Sequence, residues 1–474
     1  MQISSPDPLT PIALLKKQLN AEGINGFEAV AEALYQQKQR QTQLGVYSQD
    51  RYTLKGSDCE AIVISPSTNQ AINCILWCVN HYTGLNRNPR VIQKVADAVH
   101  QYGTGSGTSA LSGGMSMLHK KVETRLANLV GKERALLFPT GYTTNLGVIS
   151  ALPGKHDLLL FDREAHASMI DGVKLSGRKF ASFQHNSVTD LERKLKRYRD
   201  RYENIIVIVE SAYSMSGDLA PLVEIVKLKH RYNFHLYVDE AHTFGFYGDQ
   251  GAGYCQQLGL TNEVDFIMST LSKATASVGG FIACQEKYIP LLEWSANPFL
   301  FQACLPPGDA AAILASLDEL AFNPHLMTTL HEKNAYMRQR LTALGFDLGQ
   351  SQSPIIPIFI EDPERLLQFN KELFEHGVFS VSVVYPAVKP KEGRIRLILN
   401  ACHTYEQIDR TLEILASLGK QYGLIRGDRG YTKHHASDCW SESQAIASGS
   451  FGLSIVTPLL PKSADVAPVM RCRN

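Results

Sequence analysis

No apolar run in this chain approaches the roughly 18 residues a helix needs to cross a bilayer, so no membrane role is expected. A dominant charge is missing as well. Forty-seven Lys and Arg against 46 Asp and Glu leave a formal net charge of +1, and no Lys/Arg-rich run stands out, so no nucleic-acid partner is expected. The opening, MQISSPDPLTPIALLKKQL, lacks a basic segment followed by an apolar core, the pattern of a secretory leader. Nine cysteines occur, at 59, 74, 78, 255, 284, 304, 402, 439 and 472. Their number is odd and their spacing makes no disulfide framework. Only Cys74 and Cys78 are close, and with no second pair a zinc site is not expected. Scattered reduced thiols suit the cytoplasm.

What is present is an ordinary globular composition, 44% hydrophobic and 20% charged over 474 residues, long enough for two domains. Residues 1–75 hold a Pro-rich start, polar helical sequence (FEAVAEALYQQKQRQTQ) and a strand-like EAIVIS. From about 130, apolar runs (ALLF, DLLLF, NIIVIVE, FHLYVDE, VDFIMST, GGFIAC) alternate with amphipathic segments such as SVTDLERKLKRYRDRY. Runs apolar on both faces and separated by helices predict a mostly parallel sheet covered by helices, an α/β domain over 76–305. After LPP at 305–307, long helical sequence and the runs IIPIFIE, SVSVVYP and RIRLILN predict a smaller α+β domain over 306–425. Residues 426–474 are rich in Ser, Gly and Pro and read as an extension, its His434–His435 pair as solvated.

One stretch demands a chemical explanation. STLSKATASVGG, 269–280, sets a single lysine, Lys273, among small and apolar residues. Taken alone, such a lysine can snorkel outward from a strand end. Other strand-like runs, however, also end in polar residues: FHLYV runs into Asp239, Glu240, Ala241 and His242, NIIVIVE into Ser211–Ser214, and ALLF into PTGYTTN. Ligands collect beyond the carboxyl ends of parallel strands. Gly141 and Tyr142 open a predicted helix whose free N–H groups suit a phosphate, although a helix needing only an N-cap looks the same. YGTGSGTSALSGG reads as an active-site loop, since Gly103, Gly105 and Thr108 break G-x-G-x-x-G and no strand precedes them. A lysine amine, an acid and a phosphate pocket are together what pyridoxal phosphate (PLP) requires. Alone, Asp239 serves equally well as a helix cap and His242 as a satisfied histidine.

The motifs NHYTGL (80–85), YGTGSG (102–107), FPTGYTTN (138–145), DREAHAS (162–168), ESAYSMSGDLAPL (210–222), VDEAHTFGFYGDQGAG (238–253) and STLSKATASVGG resemble the α-oxoamine synthases over about 75–415. That resemblance implies a fold-type I PLP-dependent transferase and a decarboxylative condensation of an amino acid with an acyl thioester. It implies Lys273 as the Schiff-base lysine, Asp239 as partner of the pyridine nitrogen, and His242 as donor to the ring's phenolic oxygen. His166 would stack on the ring and Ser214 contact it, while Gly141, Tyr142 and Thr270 would bind phosphate. Arg396 would clamp the substrate carboxylate, with Arg394 the alternative, and Asn80 and Tyr82 would lie near the cofactor. The family's active sites sit at a subunit boundary, so a homodimer is expected. Two departures stand out: Phe301, Gln302, Ala303 and Cys304 replace the usual hydroxyl before LPP, and Ala110 occupies a position of the glycine-rich loop where arginine or glycine is common. The linker-like PDPLTPIALLKKQL and the terminal segments suggest a domain of an assembly-line protein, similar to the one that condenses arginine with a carrier-bound short acyl group in saxitoxin biosynthesis. Stand-alone 8-amino-7-oxononanoate-type or aminolevulinate-type synthases using acyl-coenzyme A, and a catalytically silent partner subunit, are the alternatives.

Overall fold

The computed structural model describes residues 7–65 and 68–425; the expected extension, with His434 and His435, lies outside the described residues. Two helices come first, α1 (Ile12–Ala21) and α2 (Phe27–Gln43). The start that reads like a linker is fastened down. The buried amide nitrogen of Gln37 lies 2.9, 3.0 and 2.9 Å from the carbonyl oxygens of Asp7, Pro8 and Thr10, and Gln41 donates to Thr10 at 2.7 Å. A buried amide needs such partners, and the adjacent prolines leave these carbonyls free of helix bonding.

Strands β1 (Tyr52–Thr53), β2 (Glu60–Ser65) and β3 (Gln70–Leu76) form an antiparallel meander. Strand β3 runs across the expected boundary at residue 75. Helices α3 (Pro89–Tyr102) and α4 (Met117–Leu129) lead to a seven-stranded sheet built from β4 (Arg134–Phe138), β5 (Leu158–Asp162), β6 (Lys179–Phe183), β7 (Ile205–Glu210), β8 (His235–Asp239), β9 (Phe266–Thr270) and β10 (Gly280–Cys284). Its order is β4-β10-β9-β8-β7-β5-β6, parallel except that β10 runs antiparallel to both neighbours. Every residue of β7 is buried, as both-face coverage requires. The crossover helices α5 (Gly141–Ala151), α6 (Ala167–Leu175), α7 (Val188–Tyr198) and α8 (Leu222–Tyr232) supply that cover. In α7 the cause is visible: Leu191 and Leu195, four apart, are buried, and Ser187 caps the helix by accepting from Asp190 N at 3.2 Å.

Short helices α9 (Tyr254–Gln257), α10 (Ile289–Ser295) and α11 (Asn297–Phe301) precede α12 (Pro307–Phe322). Ala310, Ile313 and Leu317 of α12 belong to the core of the large sheet, so the chain leaves that core after α12, beyond the expected boundary at 305. There follow α13 (His325–Ala343), β11 (Ile355–Phe359), α14 (Pro363–Glu375), β12 (Val378–Phe379), β13 (Val381–Val383), β14 (Arg394–Ile398) and α15 (Tyr405–Gln421). Strands β11, β14 and β13 make a small antiparallel sheet, while β12 pairs in parallel with β3. The first strands of the chain thus share a sheet with its C-terminal third. No helix among the described residues is long and apolar enough to cross a membrane.

Candidate active site

The carboxyl ends of the parallel strands enclose a cavity of about 200 Å³ lined by Lys273, Asp239, His242, His166, Gly141, Tyr142 and Thr270, together with Asn145, Glu210 and Ser272. Seven residues expected from the sequence therefore meet in one place, although up to 132 positions separate Gly141 from Lys273 (273 minus 141).

Lys273 Nζ lies 2.7 Å from His242 Nε2, and Tyr82 Oη lies 2.7 Å from His242 Nδ1. Burial holds the Tyr82 phenol well above its ordinary range, so it keeps its proton and can donate to Nδ1. Burial also pushes His242 well below its ordinary range, aided by Lys273 and Arg396. A neutral ring accepting at Nδ1 carries its hydrogen on Nε2. That N–H faces the lysine amine, where it meets a lone pair favourably and an ammonium unfavourably. Burial draws Lys273 down to about 8 against the opposing pull of Asp239.

Asp239, at the end of β8, is buried. Its Oδ2 accepts from Asn145 Nδ2 at 2.7 Å and its Oδ1 from Ala241 N at 2.8 Å. It stabilises a turn; no helix follows that it could cap. Asn145 is itself oriented by Tyr237, whose hydroxyl donates to Asn145 Oδ1 at 2.7 Å, and reaches Ser168 Oγ at 3.0 Å. Ser168 Oγ in turn lies 2.7 Å from His166 Nδ1. His166 is the N-cap of α6, and its backbone N–H donates to Glu210 Oε1 at 2.7 Å. Glu210 stands opposite Asp239 across β7 and β8. Burial, with the neighbouring Asp239 charge, raises Glu210 well above its ordinary value. Asn145 and Glu210 were not among the expected site residues. Each had a sequence signal: Glu210 ends an apolar strand as Asp239 does, and Asn145 closes PTGYTTN.

At the other end, Thr140 caps α5 by accepting from Thr143 N at 3.1 Å, and the first-turn N–H groups of that helix face outward as on any helix start. The Thr270 and Ser272 hydroxyls stand opposite, 2.8 Å apart. The approach is close enough to require glycine twice: a Cβ on Gly141 would fall 2.6 Å from Thr270 Cβ, and one on Gly280 would fall 2.4 Å from Thr144 Oγ1. This accounts for the last glycine of STLSKATASVGG.

The remaining expected residues stand around the cavity. Ser214 lines an adjoining chamber of about 530 Å³ that shares His166. Arg396 lies at the edge of a third chamber, about 550 Å³ and mostly apolar, roofed by α1 and α2 and joined to the second at Met215 and Tyr385–Ala387. Its Nη2 donates to Asn80 Oδ1 at 3.1 Å and its Nε has no partner. Arg394 is fully engaged, with Glu392 at 3.8 Å, the Glu392 carbonyl at 3.0 Å and the Phe359 ring at 4.4 Å. The glycine-rich loop is clamped: Cys304 N donates to Thr108 O at 3.0 Å, Gly114 N to Ser109 O at 2.9 Å, and Ser106 Oγ to Leu305 O at 2.9 Å. Ala110 packs beside Phe299 and Leu305, outside the three chambers.

An electrophilic aldehyde, a pyridine nitrogen, a phenolic oxygen and a phosphate each find a fitting group here: a partly neutral amine, a hydrogen-bonded carboxylate, a ring N–H, and hydroxyls at a helix start. Sheet order and cavity together define a fold-type I PLP-dependent enzyme. Residues 72–415 match the family Aminotransferase class I and II. The chain is 41% identical over 351 residues to a serine palmitoyltransferase of Bacteroides ovatus, covering 74% of this chain and 89% of that protein. It is 37% identical over 346 residues to an 8-amino-7-oxononanoate synthase of Thermoanaerobacter pseudethanolicus, covering 73% and 88%. A solved structure of SPT carrying PLP as an internal aldimine superposes with a TM-score of 0.79 at 29% identity, over 85% of this chain and all of that one. The chain belongs to the aminotransferase class I and II family and within it to the α-oxoamine synthases, acyltransferases that use PLP.

Proposed function

We propose that this enzyme condenses an amino acid with an acyl thioester, releasing CO2 and the free thiol and leaving an α-amino ketone. The observation that carries the reading is the Tyr82–His242–Lys273 relay beside the Asp239 carboxylate. Bound PLP supplies the electron sink for the carbanion. Lys273 would hold the cofactor through its amine, and a pKa drawn down to about 8 suits the same amine to take the substrate's α-proton near neutral pH. Asp239, fixed by Asn145 and the Ala241 N–H, would hold the proton on the pyridine nitrogen. His242 would serve the phenolic oxygen, His166 would cover the ring, and Gly141, Tyr142 and Thr270 would hold the phosphate. Arg396, with an unpaired Nε and steadied by Asn80, receives the substrate carboxylate.

The apolar chamber under α1 and α2 suits an uncharged acyl chain, and Lys17, Arg163 and Lys389 on the second chamber suit the phosphate of a pantetheine arm, which coenzyme A and carrier proteins share. Arginine as amino acid with a carrier-bound acyl group is the second reading, favoured by Glu164 and Glu392 on that chamber. The enzyme works as a homodimer. Leu111, Met117 and Phe301, 53%, 64% and 79% exposed around the clamped loop, offer the apolar surface for it.

The decisive experiment supplies single amino acids to the loaded enzyme, follows the cofactor spectrum, and adds matched acyl groups on coenzyme A and on a carrier. Release of CO2 with an α-amino ketone as product is expected; amino-group transfer without CO2 overturns the reading. A carrier preference of at least about tenfold, roughly 1.4 kcal/mol of transition-state binding, with arginine favoured over alanine and serine, supports the second reading.

A further inference from the structure

The hydrogen bonds around Asn145 settle more than the place of that side chain. Its Oδ1 can only accept, and Tyr237 Oη donates to it at 2.7 Å. Its two amide hydrogens go to Asp239 Oδ2 at 2.7 Å and to Ser168 Oγ at 3.0 Å. Turning the amide over would set Oδ1 against the Asp239 carboxylate, acceptor against acceptor. Ser168, the second residue of α6, is buried. Its hydroxyl receives a hydrogen from Asn145 and must pass its own to another acceptor, and the acceptor within reach is His166 Nδ1, at 2.7 Å. The Ser168 backbone N–H donates to the same nitrogen at 3.3 Å. With two donors converging on it, Nδ1 carries the lone pair, and the hydrogen of the neutral ring sits on Nε2.

We propose that Ser168 is a positioning residue: it holds His166 as the Nε2–H tautomer and ties that ring, through Asn145, to the Asp239 carboxylate. Its bearing on the reaction rests on the reading of this cavity as a PLP site. A half-turn of the ring would put Cδ2 where Nδ1 stands and leave both donors of Ser168 without an acceptor. A proton added at Nδ1 would displace the same two donors. Either change strands a buried hydroxyl, which is costly. The charged groups facing His166 are Asp239 at the end of β8, Lys273 after β9 and Asp171 on α6, with Arg163 and Glu164 on the chamber that it shares. Burial lowers the basicity of the ring, Asp239 and Asp171 oppose this, and Lys273 adds to it. A ring kept neutral brings no second positive charge beside the lysine, and its single hydrogen stays at Nε2, on a residue that lines both the cavity and the adjoining chamber.

The test isotope-labels the ring nitrogens of histidine in the full-length protein and reads them by NMR near neutral pH, before and after PLP is added, with His166→Gln identifying the signals of His166. A lone pair on Nδ1 and a hydrogen on Nε2 are expected in both states, because every donor belongs to the chain. In Ser168→Ala only the backbone N–H still faces Nδ1. A mixture of tautomers is then expected, the ring should protonate at higher pH, and turnover should fall about fivefold, the scale of one neutral hydrogen bond. Ser168→Thr keeps the hydroxyl and should restore tautomer and rate together. The proposal is overturned if His166 of the unmutated protein carries its hydrogen on Nδ1 or is an imidazolium in either state, if Ser168→Ala leaves the tautomer unchanged, or if a folded Ser168→Thr behaves as Ser168→Ala. Should the variants fail to fold, the signals of the unmutated protein decide alone. Borohydride trapping of PLP on Lys273 tests the cofactor reading separately: its failure would overturn that reading and leave the ring signals to decide this one.

Discussion

The cavity around Lys273 and the chamber under α1 and α2 are built on opposite plans. In the first, nearly every polar atom has a short partner: Lys273 with His242, His242 with Tyr82, Asp239 with Asn145, Asn145 with Tyr237 and Ser168. In the second, the walls are mostly apolar and the guanidinium of Arg396 leaves Nε unpaired. Networks of buried polar groups are expensive to rearrange, whereas apolar walls discriminate weakly, by about 1–3 kcal/mol per methylene. Reaction type is thus held by a rigid hydrogen-bonded floor, while substrate choice is left to a surface that a few side chains can reshape.

The sharpest break would come at Lys273. Lys273→Ala should remove the borohydride-reducible link to PLP and lower turnover by roughly 10³-fold or more, the scale of losing a positioned base and anchor; a trapped adduct on another lysine contradicts the assignment. Asp239→Ala should retain some cofactor but lose about 10²-fold in turnover, since an unprotonated ring is a poor sink, and unchanged rates would sink its role. At the boundary between the two plans, Arg396→Ala should cost about 10- to 100-fold in kcat/KM, mainly through KM for the amino acid, corresponding to charge-assisted hydrogen bonds of about 1.5–3 kcal/mol. Arg394→Ala should instead lower the melting temperature and leave KM nearly unchanged. The reverse pattern would exchange the two arginines.

Smaller effects test the relay and the chamber. In the cofactor-free protein, Lys273 is neutral above about pH 8, so capture of PLP should rise with pH and level off just above 8, where an ordinary lysine would still be gaining near its pKa of about 10.4. Tyr82→Phe removes the donor that fixes Nε2–H on His242, relieves the penalty on the ammonium, and should move that midpoint upward, with turnover falling about fivefold, the scale of one hydrogen bond of about 1 kcal/mol. An unmoved midpoint would mean that burial alone sets the lysine. Leu34→Trp, which intrudes on the apolar chamber, should slow long acyl donors about threefold relative to acetyl. Equal slowing would place the acyl chain elsewhere.

Much of the floor was legible because it is written at strand ends. An apolar run that leads into Asp239 or toward Lys273 is a local signal, and the α/β alternation told which ends would meet; His166 was reached only through the resemblance of DREAHAS. Ser214 carried the same signal but came to rest on the adjoining chamber, since strand ends specify an edge of the sheet and not a distance across it. Asn145 and Glu210 were passed over because their importance lies in their partners, Asp239 and the His166 N–H, which are 94 and 44 positions away. The contacts of the Pro-rich start lie beyond local sequence for the same reason. Composition reads prolines as open chain, and only α2 shows Gln37 and Gln41 waiting for their carbonyls.

By itself, then, the order of motifs determined the family, the α/β sheet, the cofactor and the residue types brought to its edge, because each is carried by a few consecutive residues whose periodicity or chemistry is readable locally. Tertiary structure alone decided which arginine keeps a free edge, which histidine nitrogen faces the lysine, that the glycine-rich loop is clamped to residues 303–305, and that the first helices roof an apolar chamber. Those outcomes depend on contacts between residues tens to hundreds of positions apart, and such contacts are settled by packing and by the cost of leaving a buried polar group unpaired, neither of which a single segment of sequence contains.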